Sequence, residues 1–306
     1  MGKLFEGAPR IFEVNGTNIA YRSAGNGPAL LLLHGYPQTM FMWHLVADRL
    51  AENYTVVLAD LRGYGDSGKP PTDARHSPYA KREMAADMAA LMTHLGHQQF
   101  AVMGHDRGGR VAHRLARDHE ERIIGMAVLD IAPTLSMYEQ TDMVFAKAYY
   151  HWFFLIQPAP LPETLIGADP EFYLRRKIGS WGASGDVHSD DAMTEYLRCF
   201  QGDTIHASCE DYRAAASIDL EHDRADAGKK LSIPVLALSG ADSFVGKTID
   251  IETSWQAACE NLSVAHVPGG HFLAEESPKE LLELCLPFFA KCLDKAQPVW
   301  QGQSSA

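Results

Sequence analysis

Residues 100 to 110 read Phe-Ala-Val-Met-Gly-His-Asp-Arg-Gly-Gly-Arg. An apolar run that predicts a buried strand ends in Gly104-x-Asp106-x-Gly108 and passes directly into a helical pattern. Glycines at 104 and 108 let strand and helix approach closely, and the sharp turn between them pushes the residue at its tip, Asp106, into a site. A carboxylate is a poor nucleophile toward amides. Toward a saturated carbon it can displace a leaving group and form an ester. Taken without its surroundings, the segment also reads as a glycine-rich strand–helix turn with Asp106 as its N-cap.

Three other segments follow apolar runs. His34-Gly35-Tyr36-Pro37 comes after Ala29–Leu33, Asp60-Leu61-Arg62-Gly63-Tyr64-Gly65-Asp66-Ser67 after Thr55–Ala59, and Gly269-Gly270-His271-Phe272 after Ser263–Val267. With the Gly104–Gly108 turn, these motifs resemble those of the α/β-hydrolase superfamily, from roughly Arg10 to Phe289. The resemblance implies an α/β fold with a mostly parallel central sheet flanked by helices. It also implies the chain order nucleophile, acid, histidine. Asp106 is then the nucleophile, and His271 activates the water that cleaves the ester. Backbone N–H groups of Tyr36 and Arg107 form the oxyanion hole. Gly65-Asp66-Ser67-Gly68 lacks the final glycine of G-x-S-x-G, which disfavours a serine esterase.

Two carboxylates compete for the orienting role. Asp130 ends the Gly125–Leu129 run and Asp242 lies just past Val235–Leu238. Both positions serve as the acid in different branches of the superfamily. The run Leu129-Asp130-Ile131-Ala132-Pro133-Thr134 resembles one such branch and favours Asp130. Arg107 and Arg110 stand three apart at a helix start and share a face. Each cation there opposes the helix dipole by about 0.3–1 kcal/mol. An ordinary pair of salt bridges would offset that cost, and so would a substrate carboxylate held bidentately by both guanidinium groups. The second arrangement also keeps Asp106 ionised. Tyr149-Tyr150-His151-Trp152-Phe153-Phe154 reads as an aromatic helix face, with Phe153 and Phe154 assigned to the core. His151, Trp152 and Tyr212 are neutral donors suited to a departing halide, and Trp181 is expected to line the same pocket.

As a set, His34-Gly35-Tyr36-Pro37-Gln38-Thr39, the residues from Gly104 to Arg110, the His151-Trp152 pair, Tyr212 and Gly270-His271-Phe272 resemble the fluoroacetate (haloacetate) dehalogenases. The resemblance implies hydrolysis of the carbon–halogen bond of fluoroacetate or chloroacetate to glycolate and halide through an aspartyl ester. Arg107 and Arg110 then bind the substrate carboxylate, and His151, Trp152 and Tyr212 bind the halide. It implies no metal, no organic cofactor and a homodimer. The rival enzyme is an epoxide hydrolase, for which Tyr149, Tyr150 and Tyr212 could protonate the epoxide oxygen; a neutral epoxide needs no arginine clamp. A non-catalytic ligand-binding protein is the third reading, opposed by the presence of nucleophile, base and two candidate acids.

The elements that must position these residues alternate short apolar runs with helical patterns, as in a parallel α/β sheet. Strands are expected at Ala29–Leu33, Thr55–Ala59, Phe100–Met103, Gly125–Leu129, Val235–Leu238 and Ser263–Val267. A helix over Lys81–Leu95 is expected to stop at Gly96, and another to open at Ser277-Pro278-Lys279-Glu280 as a capping box. From Thr134 to Asp223 strand-like runs vanish and aromatics cluster. This predicts a helical cap over residues 134–223, inserted in a core made of 1–133 and 224–306. Leu220–Lys230 reads as a connecting loop or helix end, strand character resumes at Ile233, and the chain looks frayed from Gln297.

The chain has 306 residues, is 46% hydrophobic and 22% charged, and carries a net charge of −12. The first two percentages exclude a disordered or coiled-coil chain. The acidic balance opposes nucleic-acid binding and requires that an anionic substrate, such as a small haloacid, meet a locally positive site. Five cysteines without CxxC spacing point away from a disulfide framework or zinc site and toward a reducing cytoplasm. No signal-peptide pattern opens the sequence and no apolar run reaches membrane-spanning length.

Overall fold

Eight strands build one sheet: β1 (Arg10–Val14), β2 (Thr17–Ala24), β3 (Ala29–Leu33), β4 (Thr55–Ala59), β5 (Phe100–His105), β6 (Ile123–Leu129), β7 (Leu231–Gly240) and β8 (Cys259–Val267). The computed structural model describes residues 3–183 and 187–296. The strand order is β1-β2-β4-β3-β5-β6-β7-β8. β1 and β2 pair antiparallel, as do β2 and β4, and every other neighbour is parallel. The central strands are covered on both faces. This is why β3 reads Ala-Leu-Leu-Leu-Leu and is buried throughout, and why β5 is buried along its whole length.

β1 and β2 were absent from the expected strands. Their apolar residues alternate with Arg10, Glu13, Asn18 and Arg22 on a partly exposed edge, so no continuous apolar run marks them. A local signal was nonetheless present. Asn15-Gly16, both at positive φ, close the two-residue hairpin between paired Val14 and Thr17. The six expected strands all form, several extended by a few residues at either end. β7 begins at Leu231, two residues before the expected point.

The helix Lys81–His94 ends as expected, with Gly96 in the left-handed region. The helix Pro278–Ala296 begins where expected. The Ser277 hydroxyl donates to the Pro268 carbonyl, which ties the helix start to the loop carrying His271. Between β6 and β7 the described residues form helices from Thr134 to Ala225 and no strand. Residues 218–225 are helical where a loop or helix end was expected. The fraying expected from Gln297 lies outside the described residues. None of the five cysteines forms a disulfide, all five are buried, and no described helix is long and apolar enough to cross a membrane.

The parallel register brings the C-terminal ends of β3, β5, β6, β7 and β8 to one edge. His34, Asp106, Asp130, Asp242 and His271 follow those ends, so residues far apart in sequence come to the crevice where open α/β sheets bind ligands.

Candidate active site

Asp106 links β5 to the helix Arg107–Asp118 at φ 46° and ψ −113°, and it makes no N-cap hydrogen bond. Such a conformation costs on the order of 1–3 kcal/mol for a side-chain-bearing residue, and the surrounding packing imposes it. A Cβ on Gly104 would lie 2.4 Å from the Gly108 carbonyl oxygen, and one on Gly108 would lie 2.4 Å from the carbonyl oxygens of Leu33 and His34. Strand, turn and neighbouring strand therefore close around Asp106 only because both positions lack side chains.

The Tyr36 amide donates to Asp106 Oδ1 at 3.0 Å. Among the described residues the Arg107 amide makes no hydrogen bond to that carboxylate, so only one of the two expected backbone donors engages it here. Burial alone would raise the Asp106 carboxyl, but His271, His105, Arg107 and Arg110 together outweigh it and hold the group below its usual range.

His271 follows β8, and its amide donates to the Trp181 carbonyl at 3.0 Å. Its Nδ1–H donates to Asp130 Oδ2 at 2.6 Å, while Nε2 is buried with no partner among the described residues. The other Asp130 oxygen accepts from the Gly240 amide at 3.1 Å and the Ser243 hydroxyl at 2.6 Å. Asp242 is exposed and pairs with Lys247 at 3.0 Å, and His271 takes Asp130 and not Asp242 as its hydrogen-bond partner. Burial opposes the imidazolium, yet the hydrogen bond and charge of Asp130, followed by the charge of Asp106, raise the His271 pKa above its ordinary value.

The two arginines are buried and differ in their partners. Arg107 donates from Nε and Nη2 to the Asp211 carboxylate at 2.9 and 2.6 Å, and from Nη2 to the Asp211 carbonyl at 2.9 Å. Asp211 also meets the Lys81 ammonium and the Tyr64 hydroxyl. Burial would raise the Asp211 carboxyl, but Arg107 and Lys81 hold it far below the usual range. Arg110 finds neutral acceptors: the Ala132 carbonyl at 3.2 Å, the Thr134 hydroxyl at 2.9 Å and the Met137 sulfur at 3.2 Å. Among the described residues no carboxylate lies within ion-pair distance of Arg110. Arg107 Nη1 and Arg110 Nε are left buried and unpartnered. Each arginine therefore keeps at least one N–H donor without a partner among the described residues.

His151 Nδ1, Trp152 Nε1 and the Tyr212 hydroxyl are also buried without partners. The helices Tyr150–Leu155 and Gly202–Ala215 bring them together: the Tyr212 ring lies 5.6 Å from His151 and 6.4 Å from Trp152, centroid to centroid. The Arg107 guanidinium lies 4.2 Å from the Tyr212 ring centroid, and that of Arg110 lies 4.8 Å from the Trp152 ring. Burial, then the charges of Lys177, His271, Arg107 and Arg110, push the His151 pKa well down. Burial raises that of Tyr212, so both remain neutral donors.

Trp181 sits 5.1 Å from the His271 ring and 4.6 Å from the His151 ring. It lines a cavity of about 300 Å³ with Asp130, Tyr149, Tyr150 and His271. The cavity stops short of Asp106, which is 3% exposed. Sequence reasoning missed Asp211, Thr134 and Met137. Asp211 stands beside Glu210 and close to Arg213, both charged and both buried as it is, so no local pattern set it apart.

A family described as alpha/beta hydrolase fold matches residues 28–278. The chain is 43% identical over 290 residues to a fluoroacetate dehalogenase from Burkholderia sp, covering 94% of this chain and 95% of that protein. It is 36% identical to a soluble epoxide hydrolase from Corynebacterium sp. (strain C12), over 90% and 95% of the two chains. The crystal structure of an alpha/beta hydrolase from Nostoc sp PCC 7120 superposes with a TM-score of 0.91 at 52% identity, over 93% and 98%.

Proposed function

The chain belongs to the α/β-hydrolase fold family, and from that premise we propose that it hydrolyses the carbon–halogen bond of haloacetates. The observation that carries this reading is Arg110, a buried guanidinium with no carboxylate at ion-pair distance among the described residues. Asp106 is the carboxylate whose charge reaches it. A buried cation without a direct partner is costly, and an anionic substrate supplies one. A neutral epoxide does not.

In this reading Arg110 Nε and Arg107 Nη1 hold the substrate carboxylate and fix the α-carbon against Asp106. An Asp106 oxygen attacks that carbon from the side opposite the halogen. The carbon–halogen bond breaks, its electron pair leaves with the halide, and a glycolyl ester forms. N–H groups of His151 and Trp152 and the Tyr212 hydroxyl receive the halide as its charge develops. Fluoride, small and tightly hydrated, needs such donors most.

His271 Nε2 then takes a proton from water, and the hydroxide adds to the ester carbonyl of Asp106. Asp130 steadies the imidazolium through Nδ1. The Tyr36 amide, already bonded to Oδ1, stabilises the tetrahedral oxyanion. Collapse expels glycolate, which regains the proton from His271, and the regenerated Asp106 carboxyl ionises. The residues 134–223 form the cap in this scheme, with 1–133 and 224–306 as the catalytic core. At a chiral 2-halo acid, the single displacement inverts configuration.

Epoxide hydrolysis is the second reading, supported by the Corynebacterium relative and by the unpartnered Tyr212 hydroxyl. Ion-selective measurement of fluoride and chloride release from matched haloacetates, run beside turnover of styrene oxide, separates the two. Halide release with no epoxide turnover is expected. Epoxide turnover without halide release refutes the dehalogenase assignment.

A further inference from the structure

Lys177 lies outside the set assigned above. It sits on the helix Pro170–Gly179 with 1% of its surface exposed. Its ammonium has no hydrogen-bond acceptor among the described residues. It faces two aromatic rings instead, at 4.2 Å from the Tyr150 centroid and 4.4 Å from the Trp181 centroid. Ring faces recover less than the penalty for burying an unpaired ammonium. Burial, with a smaller contribution from Arg176, accordingly pulls its pKa down to about 7. The group is therefore short of an anion.

Its position suggests which anion. The Tyr150 and Trp181 rings that flank Lys177 also neighbour His151, at 6.2 and 4.6 Å. Both line the cavity that contains His271, whose lining continues to Lys147 and Arg176. The same lining also holds the carboxylates of Asp130 and Asp242. The site offers a single charged donor between aromatic walls.

We propose that Lys177, with Tyr150 and Trp181 around it, forms a second, transient halide site beside the His151–Trp152–Tyr212 cradle. The assignment rests on the proposed dehalogenase reaction. A halide left beside the new ester can attack the same carbon in reverse and regenerate substrate. Moving it to Lys177 removes it from line with that carbon before His271 delivers water.

The test uses bromide on the intact protein without substrate. Anomalous scattering from bromide-soaked crystals is expected to show bromide beside Lys177 in the wild type, none there in Lys177→Met, and its return in Lys177→Arg. In solution, bromide quenching of tryptophan fluorescence should require about tenfold more bromide in Lys177→Met, the loss of one charge-assisted contact. Bromide filling the His151–Trp152–Tyr212 cradle with none at Lys177 overturns the proposal, as does equal quenching in wild type and Lys177→Met. Should Lys177→Met fail to fold, the wild-type map decides. Bromide at Lys177 in a protein that releases no halide from haloacetates leaves this anion site standing and defeats only the dehalogenase reading.

Discussion

Arg107 spends two of its three guanidinium nitrogens on Asp211, through bonds of 2.9 Å or less, and keeps Nη1 free. Arg110, one turn further along the same helix, has only neutral acceptors. Two arginines of one motif therefore differ before any ligand arrives: one is paired directly with a carboxylate, the other feels the charge of Asp106 without a direct ion pair.

This asymmetry predicts different consequences of removing each. Arg110→Gln should raise KM for chloroacetate about a hundredfold, as expected for a lost charge-assisted bond, and leave the melting temperature near that of the wild type or above it. Arg107→Gln should raise KM as well, but also lower the melting temperature, because it strands Asp211 beside Lys81 alone. Steady-state kinetics paired with thermal unfolding checks this, and matching thermal losses in both variants contradict it.

Asp211 should behave as a structural anchor of that clamp. Asp211→Asn leaves the Arg107 and Lys81 charges unbalanced in a buried network and should cost about 3 kcal/mol in urea unfolding at neutral pH. The carboxyl is depressed in the folded state, so its stabilisation is complete above the unfolded value of about 3.9 and fades as pH falls below it. The gap between wild type and variant should accordingly narrow in acid. A gap that widens there disproves the ion-pair account.

The pH dependence of turnover should separate the two chemical steps. Displacement needs ionised Asp106, which is held below its usual range, so kcat/KM should stay level well into the acid side. Ester hydrolysis needs neutral His271, whose pKa is raised chiefly by Asp130 and then by Asp106. Once Asp106 is esterified its charge is gone, and that part of the shift disappears. The acid limb of kcat should therefore fall at a lower pH than the His271 titration seen by NMR in free protein. Coincident values refute the coupling.

Removing the base should trap the intermediate. His271→Ala still allows Asp106 to attack, so intact-mass spectrometry after incubation with chloroacetate should show one glycolyl unit added, localised to Asp106 by peptide mapping. Unmodified protein that has nevertheless released halide means that water, not Asp106, attacks the carbon.

The halide donors should matter in proportion to how tightly the halide holds water. Trp152→Phe removes one N–H and keeps an aromatic ring, and should reduce fluoride release by about 10²-fold or more, with a smaller effect on bromide release. Ion-selective electrodes report both, and equal losses for the two halides remove Trp152 from the cradle.

The sheet and the turn at Asp106 were readable because they are local. Continuous apolar runs mark strands covered on both faces, and Gly104 and Gly108 mark a close approach whatever lies around them. β1 and β2 escaped because a half-exposed strand keeps polar residues on its open face, although Asn15-Gly16 carried the hairpin in plain view.

The amino-acid order alone specified the chemistry on offer: a carboxylate at the tip of a strained turn, a histidine after the last strand, two arginines one turn apart, and a handful of N–H and O–H donors. The fold settled which of these share a charge or a bond. Asp130 and Asp242 look alike along the chain, yet the first meets His271 at 2.6 Å and the second pairs with Lys247 at the surface. Arg107 and Arg110 look alike as well, until the helix Gly202–Ala215 delivers Asp211 to one of them. Such pairings depend on distances of a few ångströms between segments more than a hundred residues apart. Charge and hydrogen-bond energies at that range are decided by burial and geometry, which no local pattern encodes.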